Sequence, residues 1–178
     1  EMRHQQRYFI DLVKGEDCND VPRESPYTWF EADVRVDGKE MTNIGIRKKG
    51  FYGSASTSKP GIKLKFDKYV DDQELDGMER LTFNNGTQDP SLIHQCMAYK
   101  IFGEAGVPAP RCTFARVTMN GDYLGVYINI EPYKKDFLRD RFPDEDGDLY
   151  EGALSDFRDG WNGSFEAKTG DTDEDFGP

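Results

Sequence analysis

Apolar positions in the first half of this chain recur mostly at every second residue. Trp29-Phe-Glu-Ala-Asp-Val-Arg-Val36 alternates, Met41 to Lys49 alternates through Ile44 and Ile46, and Ile62, Leu64 and Phe66 repeat the pattern. A period of two gives each strand one apolar face. Asp37-Gly38, between the first two runs, predicts a tight hairpin turn. Tyr8 to Val13 and Leu81 to Phe83 are shorter strand candidates, and the polar stretch from Lys14 to Pro26, with two prolines, reads as a loop.

The period then changes. Asp89-Pro90-Ser91 predicts a helix start, with Asp89 or Ser91 as cap and Pro90 near the first turn. Ile93, Met97, Ile101 and Ala105 recur every fourth residue, flanked by Leu92, Cys96, Tyr99 and Phe102. That stripe is expected to be the face that packs on the sheet. Gly106 closes the helix, and Pro108 and Pro110 bar its continuation. Cys112 to Met119, the Asn120-Gly121 turn and Tyr123 to Ile130 predict a hairpin. Lys134 to Arg141 reads as a short helix, and Asp148 to Tyr150 and Ser164 to Lys168 as short strands. The expected fold class is α+β: a mostly antiparallel sheet with one packed helix and a following hairpin.

Charge alters this picture in one place. The chain has 178 residues and a net charge of -11, yet residues 43 to 68 hold seven Lys/Arg and one Asp. Residues 136 to 178 hold fourteen Asp/Glu and four Lys/Arg, so most of the negative charge lies in the last quarter. Such a surface argues against a non-specific grip on nucleic acid or anionic membrane. No apolar run is long enough to span a bilayer, and the chain starts without an apolar stretch. Residues 171 to 178 lack any packing pattern and read as a linker, a tail or a cut point.

The basic segment is a strand, a small-residue loop and a strand. Gly50, Gly53 and Gly61, with Ser54, Ser56, Thr57 and Ser58 between them, can bring backbone N–H groups and hydroxyls close to an anion. Arg47 and Lys49 share one face of the first strand, and Lys63 and Lys65 share the face of the second that lies opposite Ile62, Leu64 and Phe66. Two readings stay open from spacing: a clamp for a triphosphate, or a solvated basic sheet face with a flexible loop. The segment lacks the P-loop pattern and the kinase glycine spacing.

Other chemistry is sparse. His4 and His94 read as structural or incidental, and the serines at 54 to 58 have no histidine partner in sequence. Asp144-Glu-Asp-Gly-Asp148 has part of a calcium-loop pattern and is expected to give at most weak surface Ca binding. Cys96 and Cys112 read as small core residues; one disulfide, from Cys18 to either of them, stays open.

The ordered series of motifs resembles the CotH spore-coat protein kinase family. The matching runs are Gly45-Ile-Arg-Lys-Lys-Gly50, the serine-rich loop, Ile62-Lys-Leu-Lys-Phe-Asp-Lys68, Leu81-Thr-Phe-Asn-Asn85 and Asp89-Pro-Ser91. The most specific is Glu104-Ala-Gly-Val-Pro-Ala-Pro-Arg111, followed by Ala115-Arg-Val117, Asn120-Gly121, Tyr123-Leu-Gly-Val-Tyr127 and Glu131. Lys135-Asp-Phe-Leu138, Asp146-Gly-Asp-Leu-Tyr150 and Glu166-Ala-Lys-Thr169 complete the series.

The resemblance implies an atypical protein-kinase-like N-terminal lobe over residues 29 to 142. It also implies an N-terminal extension or edge strand over 1 to 28, and the acidic start of an incomplete C-terminal region over 143 to 178. It implies ATP with a divalent metal such as Mg, and transfer of phosphate to serine on partner proteins at a cell or spore surface. Arg47, Lys49, Ser54, Ser56, Lys63 and Lys65 would then hold phosphates, with Lys63 or Lys65 on the α and β groups. Glu131 would lie near the lobe hinge with Ile130 to Tyr133, beside adenine.

Two departures follow. Gln95 stands where family members often carry the glutamate that pairs with the lysine. The family's catalytic and metal-binding aspartates belong to a C-terminal lobe whose motifs are absent from this sequence. No catalytic or metal-ligating residue is therefore assigned, and the chain alone is expected to be inactive without that lobe. The rival function is a non-catalytic surface adhesion or protein-binding module of the same fold. A third, carbohydrate binding, rests only on the idea of exposed Trp29, Trp161 and tyrosines.

Overall fold

The computed structural model describes residues 27–50, 54, 56, 58–143, 147–152 and 165–169. The expected strand from Tyr8 to Val13, the loop from Lys14 to Pro26, Cys18, Gly53, Thr57, Asp144 to Asp146, Trp161 and the tail from Asp171 lie outside the described residues. The chain divides into two compact units; the described part of the first is Tyr27–Pro132, and that of the second begins at Tyr133.

The first unit is a six-stranded sheet in the order β1-β2-β3-β4-β6-β5. Its strands are β1 (Phe30–Val36), β2 (Lys39–Lys49), β3 (Gly61–Lys65), β4 (Arg80–Asn84), β5 (Cys112–Met119) and β6 (Asp122–Ile130). Every neighbouring pair is antiparallel. The two-residue turns form where the sequence predicts them. Asp37 and Gly38 take φ of 48° and 86°, and Asn120 and Gly121 take 51° and 88°. Positive φ at both central positions is the turn whose twist matches the strands on either side.

One face of the sheet carries the core. Ile44, Ile62, Leu64, Phe66, Leu81, Phe83 and Tyr127 are buried there with Met41 and Leu75. Val34 and Val36 from β1, and Ala115, Val117 and Met119 from β5, pack against the same cluster. These strands lie at opposite edges, so the apolar cluster runs across the full width of the sheet.

Helix α1 (His94–Glu104) starts later than the sequence suggests. Asp89 still braces the start: its carboxylate accepts hydrogen bonds from Ser91 N at 3.1 Å and His94 N at 3.0 Å. At the other end Gly106 has a φ of 79°. Its N–H donates to Gly103 O, and Val107 N–H donates to Phe102 O. These are the two bonds of a Schellman stop.

The expectation that the stripe of Ile93, Met97, Ile101 and Ala105 packs on the sheet is corrected. Ile93, Met97 and Ile101 are 46%, 52% and 58% exposed, and Ala105 is exposed too. Gln95, Cys96 and Tyr99, on nearly the opposite side of the helix, are half-buried. The helix is held by a disulfide from Cys96 to Cys112 on β5 and by a hydrogen bond from Asn84 to Gln95. A covalent bond and a polar contact, rather than apolar area, choose its inner face. The disulfide also corrects the reading of Cys96 and Cys112 as separate core residues. Their Cα atoms are 5.2 Å apart, within the usual range for a bridge.

The second unit holds α2 (Lys135–Arg141) and a hairpin of β7 (Leu149–Gly152) with β8 (Phe165–Thr169). Phe137 and Leu138 are buried, and Tyr133 meets the edge of Phe137 with ring centroids 4.8 Å apart. Lys134 Nζ donates to Lys168 O at 2.8 Å. The Thr169 hydroxyl accepts from Leu149 N and donates to Gly147 O, bridging the open end of the hairpin. Among the described residues no helix is long and apolar enough to cross a membrane.

Candidate functional site

The pairing of β2 with β3 decides how the cations meet. Arg47 lies opposite Lys63, Gly45 opposite Lys65, and Lys49 opposite Gly61. Directly opposed residues share a face, so Arg47, Lys49, Lys63 and Lys65 all project from one side of the sheet. Lys63 continues the row to Thr82 on β4, then Ile130 on β6 and Cys112 on β5. The disulfide therefore lies in the same row as the central cation pair.

Glycines make room for the long side chains. A Cβ at Gly61 would lie 2.9 Å from Lys49 O and 3.0 Å from Lys49 Cγ. Lys49 crosses this bare position, and its ammonium donates to Asn84 Oδ1 at 2.5 Å. Gly45 does the same for Lys68, whose Cβ would lie 2.6 Å from a Cβ there, and for Trp29, whose ring carries the Arg47 guanidinium at 4.6 Å. Trp29 is thus half-buried beneath a cation, which corrects its reading as an exposed aromatic. Lys65 pairs with Asp67 at 3.3 Å.

The loop that follows Lys49 is pinned from β4. Asn85 is buried, and its Nδ2 donates to Ser54 O at 2.8 Å and Lys59 O at 2.9 Å. Ser56 Oγ accepts from Lys59 N at 3.0 Å, and Tyr27 OH donates to Gly50 O at 3.0 Å. These bonds tie Ser54 and Ser56 to the ends of the cationic strands. Glu131 stands apart, just past β6. Arg111 holds its carboxylate from the guanidinium at 2.6 Å and from the backbone N–H at 2.9 Å.

Several contributors carry little sequence signal. Asn84 and Asn85 enter the sequence reading only within the run Leu81-Thr-Phe-Asn-Asn85, which names no partner for either. Lys48 points to the core side with Ile62 and Phe83, where it is buried and its ammonium lies 5.9 Å from the Tyr27 ring. Burial lowers its pKa. Lys59 Nζ lies 5.1 Å over the ring of Tyr127, a fully buried tyrosine whose pKa burial pushes up to about 12.

Ser91, His94 and Asp89 meet at the start of α1 without forming a nucleophilic triad. The serine hydroxyl and the imidazole Nδ1 both address Asp89 Oδ1, at 2.5 and 2.7 Å. A triad needs the serine on the ring nitrogen that the carboxylate does not hold. His94 is a structural residue here.

Residues 46–176 match the family of CotH kinase proteins, which is most of the chain. The chain belongs to the CotH kinase protein family. Its CotH region begins at the cationic end of β2 and takes in β3 to β6, α1, α2 and the β7–β8 hairpin. Two curated relatives from Bacillus subtilis (strain 168) are similar to parts of it. An inner spore coat protein H-like protein is 42% identical over 57 residues, 32% of this chain and 19% of that protein. Inner spore coat protein H is 31% identical over 111 residues, 56% of this chain and 31% of that protein. The chain therefore spans about a fifth and about a third of the length of these relatives.

Proposed function

We propose that the β2–β3 face is a nucleotide-phosphate site, and that this CotH region is the ATP-binding part of an atypical kinase that phosphorylates serine on partner proteins. The observation that carries this reading is the cross-strand pair of Arg47 and Lys63, flanked on the same face by Lys49 and Lys65. Like charges placed directly opposite each other cost a sheet stability. A bound polyanion removes that cost and turns the cluster into an attractive site.

The residues fit a nucleotide. Lys63 and Arg47 would hold phosphate oxygens at the centre of the face, with Lys49 and Lys65 at either end. Ser54 and Ser56, tied to the strand ends, would cover the phosphates. ATP, when bound, supplies the phosphoryl group. The cations offset the charge that spreads over its oxygens as it leaves. Glu131 and its neighbours would lie on the adenine side. Among the described residues no group of three or more His, Cys, Asp or Glu could hold a metal ion, so no metal ligand is assigned. Both relatives are named as inner spore coat proteins, which supports a place at a spore or cell surface.

Calorimetric titration of the full-length protein with ATP and Mg tests the reading. Lys63→Ala and Arg47→Ala are each expected to weaken binding about tenfold, the loss of one charge-assisted contact. Unchanged affinity in both would overturn it.

A further inference from the structure

Helix α1 docks on the sheet with little apolar area of its own. None of its 11 residues is buried. The bridge from Cys96 to Cys112 and the hydrogen bond from Asn84 to Gln95 both join it to the sheet near its start. The side chains of Met97, Ile101 and Phe102 further along are exposed. A left-handed residue stands at each end: Leu92 has a φ of 63° and Gly106 a φ of 79°. Glycine takes that conformation freely, whereas a bulky side chain does so at a cost, so Leu92 is strained while α1 is docked.

The sheet beneath is apolar. Asn84 lies opposite Ile128, and Cys112 lies opposite Ile130. Directly opposed residues share a face, so both isoleucines lie on the side that carries α1. Both are buried, and neither belongs to the apolar cluster of the other face.

We infer that the bridge between Cys96 and Cys112 is a redox-sensitive latch: closed, it keeps α1 over Ile128 and Ile130; reduced, it lets α1 undock and uncovers them. The inference is independent of the nucleotide reading. Both cysteines are half-buried rather than sealed, so a small thiol can reach the sulfurs. A dithiol reductant supplies two electrons and two protons. The S–S bond breaks, a thiol forms at each cysteine, and the reductant closes to its own disulfide. A low-molecular-weight disulfide reverses the step. The bridged residues are 16 apart in sequence, and on the chain-entropy account closing such a loop makes the open state about a hundredfold rarer. An undocked helix of 11 residues is marginal in water, and Leu92 is then free to relax.

Amide hydrogen exchange of the full-length protein, oxidised and in a dithiol reductant, tests the latch. On reduction, residues 97 to 104 should lose at least about tenfold more protection than β2 to β4, and regain it on reoxidation. Changing Cys96 and Cys112 together to alanine should reproduce the reduced pattern without reductant and abolish the response to it. Cys18 is kept in that variant, so a response that persists there would trace to Cys18 and overturn the latch. Equal loss of protection in α1 and the sheet would make the bridge a general staple and overturn it too. Protection of α1 that survives reduction would do the same.

Discussion

Replacing Asn85, just past β4, by alanine should loosen the loop between β2 and β3. The side chain is 3% exposed and makes three hydrogen bonds: to Ser54 O, to Lys59 O and from Thr87 N, the last at 3.2 Å. Each is worth about 0.5–1.5 kcal/mol net, and the freed carbonyls lie in a loop where they can turn toward water. The expected loss is about 2–3 kcal/mol, or a fall in Tm of about 5–10 °C for a chain of this size. Urea unfolding of the full-length protein, with limited proteolysis of the loop, measures both effects. Asn85→Asp is the sharper companion. It keeps the acceptor for Thr87 but sets a carboxylate against two carbonyl oxygens, which should raise the pKa of the new acid in the folded state. A raised carboxyl pKa makes stability fall as pH rises through the unfolded value, so this variant should regain stability in mild acid. An Asn85→Ala protein within about 0.5 kcal/mol of the parent, with its loop still protected, would refute the clamp.

Further outcomes follow from the same contacts. Cys96 and Cys112 are 16 residues apart in sequence; changing both to serine should cost about 3 kcal/mol by loop entropy, read as the gap between urea midpoints of the two proteins. Met97→Lys and Ile101→Lys should each change stability by less than about 0.5 kcal/mol, since both side chains face solvent; a loss above about 2 kcal/mol would return that stripe to a packed face. The Asp89 carboxyl is held well below its usual value of 3.8, first by the Ser91 hydroxyl and then by His94. A depressed folded pKa gives stability that is complete above the usual value and lost as pH falls through the folded one. Asp89→Asn should therefore flatten the acid end of the stability profile, which a pH series of thermal melts would show.

Much of the sheet could be read from local pattern. Asp37-Gly38 and Asn120-Gly121 demand their turns, and alternation assigns Arg47, Lys49, Lys63 and Lys65 to strand faces. Whether the two pairs share one side of the sheet depends on the register of β2 with β3, which alternation alone leaves free. The face of α1 was misjudged for a related reason. An apolar stripe at i+4 spacing normally seeks a core, but here the core lies on the other face of the sheet. The helix lies instead on the cationic face, docked through Cys96 and Gln95. Asn84, Asn85 and the pairing of Cys96 with Cys112 were hidden because each acts across a long stretch of chain, and no local rule names their partners.

The central claim is that residues 47 to 65 form a phosphate site. Amide hydrogen exchange of the full-length protein, with and without ATP and Mg, tests it most directly. Slowed exchange centred on residues 47 to 65, and abolished by Lys63→Ala, is the predicted result. ATP-dependent protection that leaves this segment unchanged and appears elsewhere would contradict it.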